Sequence, residues 1–161
     1  MANGEDGMKE RWLPVGVLAA VLFAVNALGR IVVKLVASGH DRRQIGIGLV
    51  AIAAVGVVTI GAAYWWARRH PMPRVLADLA VAVGVACVLS VLVGPLVVGS
   101  KPMAEGFGLF VREIGIYLAI SAGGVLFGLL AVMTAGQDWK SQAWKRYAEQ
   151  ARAKPRRAVR R

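Results

Sequence analysis

The stretch IGIYLAISAGGVLFGLLAVM, Ile114 to Met133, runs its whole length without a charged side chain. A helix rises about 1.5 Å per residue, so such a stretch reaches about 30 Å, the thickness of a bilayer's hydrocarbon core. Inside that core every backbone N–H and C=O needs an internal partner, which leaves helices or closed barrels. The apolar residues are continuous rather than alternating, so a helix is predicted.

Three further runs read the same way: Leu13–Leu28 with a continuation to Ala37, Ile45–Trp66 and Val75–Val98. With flanks included, the spans are expected at about 13–37, 45–66, 75–98 and 110–134. The chain reads as an all-α integral membrane protein. Residues 1–136 form a four-helix transmembrane domain with short loops, and residues 137–161 a basic cytoplasmic tail.

Composition agrees. The 161 residues are 57% hydrophobic, leaving room for four spans, short loops and one tail, but no second domain. The net charge of +11 sits outside the apolar runs or at their ends. In a soluble protein such a balance would suggest nucleic acid; here topology and anionic headgroups explain it, and no nucleic-acid partner is expected. The abundance of Ala, Val, Gly and Arg fits a GC-rich bacterial source.

Chemistry-bearing motifs are missing. There is no Gly-rich phosphate loop, no H-E-x-x-H and no nucleophile beside a plausible base, so neither an enzyme nor a cofactor is expected. The lone Cys87 lies within the third span, and His40 and His70 lie on loops at opposite ends of the second. That pattern gives no protein-built metal site. The first run is expected to be retained: its leading residues mix Glu5, Asp6 and Glu10 with Lys9 and Arg11, unlike the basic start of a cleaved signal.

Lys and Arg in short flanks mark the cytoplasmic side. Lys9 and Arg11, then Arg68, Arg69 and Arg74, then nine cations of the tail fall on one side, fourteen in all. Arg30, Lys34, Arg42, Arg43, Lys101 and Arg112 make six on the other. Both termini are therefore expected in the cytoplasm, at the cell membrane. Trp12, Trp65, Trp66, Trp139 and Trp144 all fall at that same interface, where indole rings are favoured.

Lipid gives helices no hydrophobic reason to associate, so small residues that permit close approach matter. Ala82, Ala86, Ser90 and Gly94 recur by fours on the third span, and Gly115, Ala119 and Gly123 on the fourth. These stripes predict that the third and fourth spans pack together, within one copy or between copies. A second motif, Gly124 and Gly128, lies beside them. Pro95 predicts a kink or an early helix end.

Ionisable residues inside spans are functional candidates by default. Arg30 lies about 25 Å along a helix entered at Leu13, and Glu113 about 5 Å below a far edge at Phe110. Equal depth predicts an ion pair between them, with Lys34 as its outer member. Arg30, Lys34, Arg42 and Arg43 also read as an outer cationic patch. None of these reaches the midplane, where transporter sites usually sit.

In the tail, Trp139, Ala143, Trp144, Tyr147, Ala148 and Ala151 recur at steps of three and four, with cations between them. That pattern predicts an amphipathic helix ended by Pro155. Trp139, Trp144, Lys145, Arg146 and Arg152 are its candidate contacts with anionic lipid. Function is then expected to be non-enzymatic: an accessory, assembly or scaffold subunit that binds a membrane partner or a second copy. The alternative is an oligomeric transporter or channel protomer, which would need a cavity reaching mid-membrane where a scaffold would have a solid core.

Overall fold

Each apolar run folds as a helix, because continuous burial of one backbone requires its hydrogen bonds to close locally. A computed structural model describes residues 3–36, 41–99 and 106–153. In order, its elements are α1 (Asn3–Val36), α2 (Asp41–Ala67), α3 (Met72–Leu92), α4 (Gly94–Val97), α5 (Phe107–Thr134) and α6 (Trp139–Ala153). There is no strand among the described residues. The helices α1, α2, α3 and α5 are long and apolar enough to cross a membrane.

The boundaries differ from the sequence reading at several ends, with α2 beginning at Asp41 rather than 45 and α3 at Met72 rather than 75. Helix α1 starts at Asn3, ahead of the apolar run, with Pro14 inside it. Helix α5 starts at Phe107 rather than near 110. The expected span 75–98 is divided: α3 ends at Leu92 and a single turn, α4, follows. Pro95 explains the division, since it has no N–H to offer the carbonyl four residues back. Pro71 and the proline after it sit at the start of α3, where a missing N–H costs nothing.

The tightest contact is between α2 and α5. A Cβ built at Gly124 would stand 2.1 Å from Thr59 Oγ1 and 2.8 Å from the Gly56 carbonyl oxygen. One at Gly128 would stand 2.5 Å from the Ile60 carbonyl oxygen and 2.9 Å from Ala63 Cβ. The contact advances by four residues on both helices together, so α2 and α5 run parallel. Helix α1 lies between α2 and α3, and α5 also touches both, so the four form a ring with α1 and α5 at opposite corners.

Helices α3 and α5 touch, but within one copy the stripe of α5 expected to make the contact does not. On α3, Ala82, Ala86, Ser90 and, beyond it, Gly94 are buried, but the principal neighbour is α1. On α5, Gly115, Ala119 and Gly123 are exposed, with nothing near a Cβ at Gly115 or Gly123. The buried stripe of α5 is Tyr117, Ser121, Gly124, Gly128 and Val132. Two glycines one turn apart let carbonyl groups of α2 approach more closely than the mixed Gly-Ala stripe would, and that face wins.

Most of the packed core lies in one half of the bundle, although Ser90 and Val91 near the end of α3 are buried as well. Leu22 on α1, Thr59 and Ala63 on α2, Val75 and Leu79 on α3 and Val132 on α5 are almost fully buried. All lie toward the end where α5 leads into α6, called here the tail end. At the opposite end, where α1 finishes and α5 begins, the centre is hollow.

Candidate functional site: a cavity in the open half of the bundle

The hollow is a half-open cavity of about 730 Å³ lined mainly by α1, α2 and α5, with Val91 of α3 and Pro95 of α4. Pockets of 300–1,000 Å³ are the usual size for small-molecule sites. The residues around it explain why it is not filled. Gly29 of α1 lies so close to α2 that a Cβ there would stand 2.5 Å from Ala51 Cβ, while Gly48 and Ala51 offer little volume of their own. The cavity extends from Val98 at the open end down to Asn26, Val55 and Tyr117. Val55 lies near the midpoint of α2, so the hollow reaches about halfway through the bundle.

Arg30 crosses this space. Its Nη2 donates to Glu113 Oε1, joining α1 to α5 at the opposite corner of the ring, and its Nε donates to Asn26 Oδ1 at 3.3 Å. The side chain passes over Gly94, where an added Cβ would stand 3.0 Å from Nε. Gly94 thus makes room for a guanidinium rather than for a helix. Lys34 does not join the pair; its Nζ donates to the Val98 carbonyl at 2.7 Å, where α4 ends. Arg112 also lines the wall. Three cations and one carboxylate therefore surround the cavity. Arg42 and Arg43 are exposed at the start of α2, outside its lining, so the outer cationic patch read from the sequence is divided between cavity wall and surface.

At the inner limit stands Tyr117, 6% exposed, with Ser90 and Cys87 of α3 beside it. Its hydroxyl faces that of Ser90, whereas Ser121 Oγ has no hydrogen-bond partner among the described residues. Buried polar groups are ordinarily paired. Tyr117 escaped the sequence reading; its only signal there is a phenol hydroxyl within an apolar run. The described residues hold no group of three or more His, Cys, Asp and Glu side chains able to bind a metal.

No protein family, curated protein or solved structure matches this chain.

The tail end carries a second group of candidates. Arg74 pairs with the buried Asp78 one turn on, at 3.6 Å. Gly136, with φ of 58°, breaks the chain between α5 and α6. The break is pinned on both sides: Tyr64 donates to Gln137 Oε1 at 2.7 Å, Gln142 Nε2 to the Gln137 carbonyl at 2.6 Å and Lys145 Nζ to the Gly136 carbonyl at 3.0 Å. Asp138 opens α6 by accepting the Ser141 N–H at 3.2 Å. The Ser141 hydroxyl, and then backbone N–H groups, hold its carboxyl below the usual range.

Along α6 the candidate lipid contacts separate. Trp139 and Arg146 turn toward the end of α2, Lys145 reaches back to Gly136, and Trp144 and Arg152 are exposed. Five residues on a helix turn about 140°, so Trp139 and Trp144 cannot share one narrow face.

Proposed function

We propose that this chain is a non-enzymatic, multi-pass protein of a bacterial cell membrane, with both termini in the cytoplasm, that takes a small ligand into its cavity from the outer side. The observation that carries this reading is the hollow half of the bundle. A scaffold subunit needs only outward-facing surfaces and gains nothing from an unfilled centre, whereas a binding or transport protomer needs such a space. The ion pair Arg30–Glu113 and the Tyr117 side chain at the inner limit give the cavity polar groups at two depths. The packed tail-end half closes the other side, so a single copy in this state is a vestibule and not a pore.

Single cysteines at Ile52 and Ile120, in a Cys87→Ser background, test the reading. A membrane-impermeant thiol reagent added outside intact cells should label both, and occupancy by a ligand should slow the labelling. Protection of both sites in every condition would mean a sealed core and would sink the proposal.

A second reading, the accessory or scaffold subunit, is supported by the exposed stripe Gly115, Ala119 and Gly123, which leaves room for a further helix from a membrane partner or a second copy. Cysteine cross-linking at Ala119 would report such a neighbour. Anionic lipids of the cytoplasmic leaflet are the partners proposed for α6.

A further inference from the structure

Another cleft lies between the end of α2 and α6. It measures about 800 Å³ and is walled by Trp65, Arg68 and Arg69 on one side and Trp139, Arg146 and Tyr147 on the other. Arg69 stacks over the Trp65 ring at 4.1 Å, and Arg68 lies over Tyr64 at 5.7 Å. Among the described residues no carboxylate lines the space. None of the three guanidiniums is bridged to an acid among the described residues.

Three like charges facing one cavity repel each other, and the repulsion is strongest where the surroundings are least polar. The turn at Gly136 nevertheless fixes α6 in this position through hydrogen bonds to Gln137 and Gly136. The arrangement is short of an anion. We propose that the cleft binds the phosphate of an anionic lipid headgroup, held by Arg68, Arg69 and Arg146 and flanked by the Trp65 and Trp139 rings.

The chemistry fits in three respects. Guanidinium groups match phosphate oxygens two at a time, which an ammonium cannot do. Stacking on Trp65 holds the Arg69 plane before any ligand arrives, so less freedom is lost on binding. The cleft also lies at the boundary of the apolar run of α2, which is headgroup level for an inserted helix; basic pockets at that level suit phospholipid headgroups. The inference rests on the membrane reading above but not on the cavity in the open half.

Native mass spectrometry of the full-length protein in mild detergent tests it, with phosphatidic acid and phosphatidylcholine as probes. Wild type should bind phosphatidic acid roughly tenfold more tightly than phosphatidylcholine. The double variant Arg69→Gln with Arg146→Gln should lose about tenfold or more of that affinity, equal to the loss of about 1.4 kcal/mol or more. Arg152→Gln removes the same charge from the exposed part of α6 and should change affinity less than about twofold, since screened surface charge contributes little there.

Inorganic phosphate at equal free concentration should not displace the lipid. An equal loss in Arg152→Gln would reduce the effect to general charge and overturn the site. Displacement by inorganic phosphate would make the ligand a soluble anion and overturn the lipid assignment. No preference for phosphatidic acid in wild type would overturn both. Should the double variant fail to fold, Arg146→Gln alone against Arg152→Gln makes the same comparison on the solvent side of the cleft. Thiol labelling of Ile52 and Ile120 positions reads the cavity separately, so either idea can fail alone.

Discussion

At the scale of single residues, Gly124 and Gly128 decide how the bundle closes. A methyl group at either would run into backbone carbonyls of α2, and backbone cannot swing aside as a long side chain can. Gly124→Ala and Gly128→Ala should each destabilise the protein by about 1–3 kcal/mol in a reversible detergent unfolding assay. Gly115→Ala and Gly123→Ala, made on the exposed face, should be neutral or slightly stabilising within one copy, because Ala is the better helix former. The sequence contained both sets of glycines and did not say which would be used. Spacing by four is a property of one helix, while the choice of face depends on the shape of its neighbour. The pair Arg30 and Glu113 was more legible, because depth along two helices is set by length alone. A double-mutant cycle of Arg30→Ala and Glu113→Ala should give a coupling above about 0.5 kcal/mol, and strictly additive losses would count against an energetic link.

Elements were legible in proportion to their length. Four long apolar runs became four long helices. The finer divisions at Leu92 and at Gly136 depended on one proline and one glycine. Pro95 pointed to the first division, whereas Gly136 marked an end without indicating where α6 would lie. That placement is fixed by side chains, Tyr64 with Gln137 above all, that no periodicity reveals. Asp138 supplies a prediction for α6 itself. Its carboxyl is held low, so the charged form is favoured when the helix is formed. The capping contribution is therefore present at neutral pH, lasts below the ordinary carboxylate range, and is lost as pH falls through the depressed value. Circular dichroism of a peptide spanning Gln137–Ala153 should show less helix at strongly acid pH, and Asp138→Ala should remove that pH step while lowering helicity at neutral pH. An unchanged acid step in the variant would show that Asp138 is not its source.

For the whole molecule, the hollow half could not have been foreseen from composition, since mean hydropathy is blind to whether apolar side chains meet. Nor did any motif announce the cleft beside α6: Arg68 and Arg69 read simply as cytoplasmic flank, and only the fold sets Arg146 across from them. Orientation, by contrast, is a sum over flanks. Reporter fusions after Arg161 and within the loop preceding Asp41 should give cytoplasmic and external signals respectively; an external signal after Arg161 would refute the topology.

The parallel pairing of α2 with α5 also sets an order of assembly. Ribosomes deliver α2 long before α5, and α3, which emerges in between, makes fewer contacts with α2 than α5 does. In the proposed membrane topology the face bearing Gly56, Thr59 and Ala63 waits, exposed to lipid or to an insertion chaperone, until α5 arrives. A nascent chain arrested before Phe107 should remain bound to the insertion machinery and open to protease. One arrested far enough beyond Thr134 for α5 to clear the ribosome should be released and become resistant.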